Sequence, residues 1–191
     1  MAAKDSLSAD ELCFTPAVEL REMLRNKAIS PVELVRTFLG RIEKINPLIN
    51  AYCTLVPDMA FDAARKAEST IMQGREAGLL TGIPVSIKDV VITAGIRTTY
   101  GSRLYENFVP KEDALVVERV KKAGGIILGK TNTPEFAAGG STFNKIFGIT
   151  RNPWNTKFSV GGSSGGGAAA VAAGIGPLAQ GSDLGGSLRL P

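Results

Sequence analysis

With 191 residues, 44% of them hydrophobic and 21% charged, the chain is long enough to bury a real core and has an ordinary globular composition, which excludes disordered and fibrous classes. The net charge of +4 comes from 22 basic and 18 acidic residues scattered along the sequence, without the basic block or aromatic interleaving that a nucleic-acid face needs. There is no histidine, so neither a Ser-His-Asp triad nor a Cys-His pair can be built from the chain's own residues, and a nucleophile needs another base.

The opening stretch, Met1 to Ser6, is polar and leads into no apolar run, so no secretory signal is expected and a cytoplasmic protein is. Cys13 and Cys53 lack C-x-x-C spacing and read as free core thiols in a reducing compartment. Thr15-Pro16 predicts a helix start, with Thr15 as cap and Pro16 in the first position, running to about Asn26. Ser30-Pro31-Val32-Glu33 is a capping box ahead of the apolar stripe Leu34, Phe38, Leu39 and Ile42, and this second helix is expected to end before Asn46-Pro47. An extended piece from Ala51 to Val56 and a third helix over about Asp58 to Arg75 follow.

Gly82 to Val91 reads as a buried strand whose alternation sends Val85 and Ile87 to one face and Ser86 and Lys88 to the other, so Lys88 is a lysine inside an apolar run. A glycine-containing loop leads to a helix over Asp113 to Ala123, and Ile126 to Gly129 is the next strand. A helix between two short apolar runs is a βαβ pattern and predicts a largely parallel sheet. Residues 131 to 162 hold little regular structure beyond a short helical turn at Thr133-Pro134-Glu135 and a tight turn at Asn152 to Asn155, and an ordered loop of that length is usually functional. A helix from about Gly165 to Ala173 and a strand from Pro177 to Ser182 complete the series, with no linker or repeat, so residues 1–191 read as one domain. The small-residue run 168 to 180 is too short and too interrupted to cross a bilayer.

Gly124 to Thr131 satisfies the G-x-x-x-x-G-K-[ST] spacing of a nucleotide phosphate loop, but a helix precedes it and a strand fills its loop positions. Lys130 therefore reads as a strand-end residue. Without histidine, a serine can be activated by a lysine whose pKa burial has lowered, and Lys88 sits where that could happen; the alternatives are a lysine that snorkels to water or pairs with Asp89.

Gly162-Ser163-Ser164-Gly165-Gly166, then Gly181-Ser182-Asp183-Leu184-Gly185-Gly186-Ser187-Leu188-Arg189-Leu190-Pro191, with Ile87-Lys88-Asp89 upstream, resembles the amidase signature family. The resemblance extends through Glu19-Leu20 to Asn46-Pro47, Gly129 to Phe136 and Gly148 to Trp154. It implies an α/β fold, in which N-terminal helices precede part of a mixed, largely parallel sheet covered by helices. It also implies hydrolysis of a carboxamide through a Ser-Ser-Lys triad without metal or cofactor. Residue by residue the triad maps onto Ser187 as nucleophile, Ser163 as relay at a cis peptide, and Lys88 as base; the two serines stand 24 residues apart, the spacing the family uses. The backbone N–H groups of Leu184, Gly185, Gly186 and Ser187 are the expected oxyanion donors. Asp183 and Arg189 are expected to hold the nucleophile loop, and Ser182 and Leu184 stand where many members have threonine.

Members of the family are longer, which implies the N-terminal part of a longer enzyme whose activity as 191 residues alone is in doubt. The partner expected is a small-molecule amide, with no direct nucleic-acid or membrane contact and with a second copy of the chain as a candidate neighbour. The alternatives are the glutamine-hydrolysing subunit of a glutamyl-tRNA amidotransferase, which would release ammonia from glutamine beside its partner subunits, and a non-catalytic truncated piece.

Overall fold

The computed structural model describes residues 7–75 and 78–191; the polar opening stretch Met1 to Ser6, read above as lacking a secretory signal, lies outside the described residues. The first helix, α1 (Ala9–Phe14), was not expected: Ser8 and Glu11 cap each other's backbone reciprocally, and Leu12 and Cys13 enter the core. Thr15 is not a cap. Its hydroxyl donates to the Glu11 carbonyl at 2.8 Å, closing α1, and Pro16 precedes α2 (Ala17–Arg25) instead of opening its first turn.

In α3 (Pro31–Ile49), Ser30 Oγ accepts from the Glu33 N–H at 3.1 Å, which is half of the expected capping box. This helix does not end before Pro47. Proline removes one N–H donor and crowds the preceding turn, yet here it lies within the last turn, where Asn46 compensates. The Asn46 carbonyl accepts from Asn50 N–H, and its side chain accepts from Ala51 and Tyr52 N–H while donating to the Tyr52 carbonyl. Asn50, in the left-handed conformation at φ 53°, stops the helix.

The chain then forms β1 (Tyr52–Leu55), α4 (Pro57–Met72), β2 (Pro84–Lys88), α5 (Leu115–Lys122) and β3 (Ile126–Thr131). A two-stranded ribbon, β4 (Phe143–Asn144) with β5 (Gly148–Ile149), stands within the long loop, and α6 (Gly165–Ala172) and β6 (Ala179–Gln180) follow. The main sheet runs β1-β3-β2-β6; β2 pairs parallel with both β3 and β6, and β1 is antiparallel to β3. The sheet is mixed and largely parallel, with helices packed on it, as the sequence predicts.

Leu20, Leu24, Leu34, Phe38 and Ile42 from the N-terminal helices meet Ile126 and Leu128 of β3 and Ala169 and Ala170 of α6 in the larger core. Val85, Ile87, Ile96, Val117 and Ile127 form a smaller one on the other face. In α5 only Val117 is fully buried, whereas Leu115 and Val116 are exposed, so the helix rests on a narrower stripe than its apolar spacing suggests.

A bulge in β3 sets up the site. Val85 pairs with Ile127 but Ser86 pairs with Gly129, so Leu128 is the extra residue and the alternation of β3 reverses beyond it. Lys130 thereby points to the face of Ile87, and Thr131 to the face of Lys88.

Candidate active site

Lys88 is the last residue of β2, the strand flanked by parallel neighbours, and α/β sheets present ligand sites beyond the carboxyl ends of such strands. Its side chain is fully buried on the face covered by α6. Gly166 lets that helix approach: a Cβ there would stand 2.4 Å from the Asn132 nitrogen and 2.5 Å from its oxygen, so only glycine fits against the end of β3. The close contact brings Ser163 and Ser164, just ahead of α6, over the lysine.

Lys88 Nζ lies 2.8 Å from Ser163 Oγ, 3.0 Å from Ser164 Oγ, 2.9 Å from Ser182 Oγ and 3.2 Å from Ser187 Oγ. Ser163 Oγ donates to Ser187 Oγ at 3.0 Å, and Ser164 and Ser187 hydroxyls are 2.7 Å apart. The Gly162–Ser163 peptide is cis. An ammonium has three protons and four hydroxyls face it, so at most three of them accept from it at once, and a neutral amine has a lone pair that can accept from one of them. Burial pushes Lys88 down to about 8, with the Asp183 carboxylate offsetting part of that effect.

The four hydroxyls are not equivalent. Ser164 Oγ donates to the Ser182 carbonyl at 3.1 Å and accepts from the Ser182 N–H at 3.2 Å, so its proton is committed to the backbone. Ser163 Oγ has only Lys88 and Ser187 as partners among the described residues. Ser182, read from the sequence only as a mild substitution, accepts from Lys88 with its hydroxyl oxygen and has no other side-chain hydrogen bond among the described residues. The signal that could have found it is its place five residues before Ser187 in a loop that must fold back on itself.

That loop is held as expected by Asp183, which accepts from the N–H groups of Gly186 at 2.7 Å and Leu188 at 3.1 Å and from Arg189 Nε and Nη2 at 3.0 and 2.9 Å. The Arg189 hydrogen bonds and those backbone N–H groups hold the Asp183 carboxyl well below the usual carboxylate range. The cost falls on one expected oxyanion donor. Gly186 N–H, which a φ of 110° turns toward Asp183, is already occupied, whereas Leu184, Gly185 and Ser187 N–H have no acceptor among the described residues.

Lys130 is buried too, but on the opposite face, where it donates to the Val91 carbonyl and, at 3.0 Å each, to the Thr93 and Thr98 hydroxyls. All three of its protons are used to pin the loop after β2. Its surroundings are a strand and a loop, so the phosphate-loop spacing has no structural counterpart. Asp89 does not pair with Lys88; its carboxylate accepts from the Thr99 N–H and hydroxyl. Among the described residues no group of His, Cys, Asp or Glu could hold a metal ion, and no helix is long and apolar enough to cross a membrane.

The profile of the Amidase family matches residues 33–191, that is, everything from the first turn of α3 to the nucleophile loop. The chain belongs to the amidase family. A glutamyl-tRNA(Gln) amidotransferase subunit from Carboxydothermus hydrogenoformans is 48% identical over 181 residues, which are 95% of this chain and 37% of that protein. A bacterial aryl acylamidase of the amidase signature enzymes superposes with a TM-score of 0.89 at 38% identity, over 93% of this chain and 37% of its own. The peptide amidase of Stenotrophomonas maltophilia gives a TM-score of 0.85 at 34% identity, over 91% and 37% respectively. The chain therefore spans little more than a third of the length of the amidases it matches.

Proposed function

We propose that this chain carries the proton-relay and nucleophile portion of an amidase that cleaves a carboxamide C–N bond through a Ser187 acyl-enzyme. Neutral Lys88 takes the Ser163 proton, Ser163 takes that of Ser187, and Ser187 Oγ attacks the amide carbonyl carbon. Leu184, Gly185 and Ser187 N–H receive the developing oxyanion, each such donor contributing about 3–4 kcal/mol to the transition state. The C–N bond breaks as Ser163 returns a proton to the leaving amine, and water then releases the acyl group by the same relay. Ser164, its proton committed to the Ser182 carbonyl, orients the Ser187 hydroxyl instead of relaying.

The observation that carries this reading is the unbroken Lys88–Ser163–Ser187 chain, at 2.8 and 3.0 Å, around a lysine brought down to about 8. Its test is the complete reading frame compared with Ser187→Ala, Ser163→Ala and Lys88→Ala on simple amides and on glutamine. Each variant should lose at least about a thousandfold in kcat, as members of a unit that acts together do. Retained hydrolysis by Ser187→Ala would overturn the nucleophile assignment.

The 48% identity to a glutamyl-tRNA(Gln) amidotransferase subunit favours a second reading, glutamine as the amide, with ammonia passed to partner subunits. Selective turnover of glutamine over simple amides would decide for it. A non-catalytic role predicts that no serine-directed fluorophosphonate labels Ser187 even in the complete reading frame.

A further inference from the structure

The cleft lined by Ser163, Ser182 and Ser187 has a volume of about 480 Å³, and beyond these three serines its lining is apolar or glycine. Phe136, Ala137 and Ala138 line it together with Leu184 and Leu190 of the nucleophile loop, and no charged side chain does so among the described residues. The nearest charges in the nucleophile loop, Asp183 and Arg189, are spent on each other.

Phe136 is held in place. It and Ala137 are consecutive non-glycine residues in the left-handed region, at φ 52° and 57°, a conformation rare enough to require support from its surroundings. That support is present: the Phe136 N–H donates to the Tyr100 carbonyl at 2.7 Å, and its ring meets those of Tyr105 and Tyr100 at centroid distances of 6.2 and 6.5 Å. The ring nevertheless stays half exposed, and Leu184, in the same lining, is fully exposed at the position where the family resemblance implies threonine. An apolar residue in place of a hydroxyl, on the loop that bears the nucleophile, changes what the mouth of the cleft can bind.

We propose that Phe136 and Leu184 form an apolar clamp that selects amides bearing an uncharged aryl or alkyl substituent next to the scissile bond. This rests on Ser187 being the nucleophile: an amide that reaches Ser187 Oγ enters the cleft that these two side chains also line, and its substituent can cover them there. A substrate carrying an ammonium and a carboxylate would lose hydration there and find no partner charge among the described lining residues.

The test uses two sulfonyl fluorides, phenylmethanesulfonyl fluoride and methanesulfonyl fluoride. In each, Ser187 Oγ bonds to sulfur as the S–F bond breaks, fluoride leaves, and the hydroxyl proton passes through Ser163 to Lys88. Labelling of Ser187 is followed by mass spectrometry, with each rate divided by that of the reagent's own hydrolysis. The phenylmethyl reagent should be favoured by at least about tenfold, and Phe136→Ala and Leu184→Thr should each cut that preference severalfold, given what one apolar contact contributes to selectivity. A preference that survives both substitutions, or none to begin with, overturns the clamp while leaving Ser187 as nucleophile. A folded chain that neither reagent labels overturns the nucleophile reading instead.

Reversible binding to the Ser187→Ala variant, read by NMR shift changes, tests the clamp without any chemistry. Phenylacetamide places the ring on the acyl side and acetanilide on the amine side. One of them should bind at least about tenfold more tightly than acetamide, and that gain should disappear in Ser187→Ala/Phe136→Ala. The arm that binds names the side of the amide the clamp holds, and equal binding of all three overturns it.

Discussion

At the scale of single residues, the site turns on how a lysine can be made a base. Lys88 owes its lowered pKa to burial, and the Asp183 carboxylate works in the opposite direction, as does each hydroxyl that accepts from the ammonium, three at a time at most, because each stabilises the charged form. With a pKa of about 8 the amine is mostly protonated at neutral pH. The rate should therefore rise with pH, about tenfold per unit well below the pKa, and level off above about 8. A pH–rate profile of the complete enzyme on a simple amide checks this, and a flat profile down to pH 6 would count against Lys88 as base. Ser182 gives a sharper handle. Among the described residues its hydroxyl accepts from Lys88 and has no other partner, so Ser182→Ala removes a stabiliser of the ammonium and should move the acid limb to lower pH, whereas loss of packing alone would lower the plateau without moving the limb.

At the scale of elements, the decisive contact is backbone against backbone, where α6 meets the end of β3. The first turn of α6 gives its N–H groups to neighbours outside the helix, Gly165 to the Thr142 hydroxyl at 3.1 Å and Gly166 to the Asn132 carbonyl at 3.2 Å. This docking sets the height of Ser163 over Lys88. A single methyl at Gly166 has nowhere to go, since the atoms it meets belong to the main chain. Gly166→Ala should cost about 1–3 kcal/mol, as overpacked cores do, measured as a lower urea midpoint at unchanged slope. A midpoint equal to that of the parent would mean that α6 can lift, and the relay distances with it.

At the scale of the whole molecule, two ammonium groups are buried on opposite faces of one sheet, Lys88 over β2 and Lys130 beyond the β3 bulge, and both are brought down to about 8 from 10.5. Between those values the unfolded chain holds more protons than the folded one, so stability rises with pH from about 8 upward. Burial raises Cys53 well above 9.0, and there the folded chain keeps a proton the unfolded one loses, which offsets one of the two lysines above about 9. The urea midpoint should thus climb from pH 7.5 to 9 and more gently above it. Lys130→Met should remove about half of the climb, with the rest attributable to Lys88, and a midpoint that falls steadily from pH 7.5 would refute the account.

How much of this could be read from the residues differs from element to element. The α3 stripe, the burial of β2 and the split of Val85 and Ile87 from Ser86 and Lys88 follow from local periodicity, because each depends on side chains close in sequence. The family, and with it the expectation of Lys88, Ser163 and Ser187 as a set, follows from glycine-serine motifs whose order and spacing survive in the sequence itself. The continuation of α3 through Pro47 was hidden, since it depends on Asn46 reaching forward to Ala51 and Tyr52. So was the side on which Lys130 lies, because one extra residue opposite β2 reverses the alternation that a pattern assumes to be regular. Only the tertiary structure decided that Ser182 faces Lys88, that Ser164 is tied to the Ser182 backbone, and that Asp183 takes the Gly186 N–H. Those are contacts of atoms within about 3 Å across loops, and spacing along the chain fixes which residues can meet but not which hydrogen bond each one makes.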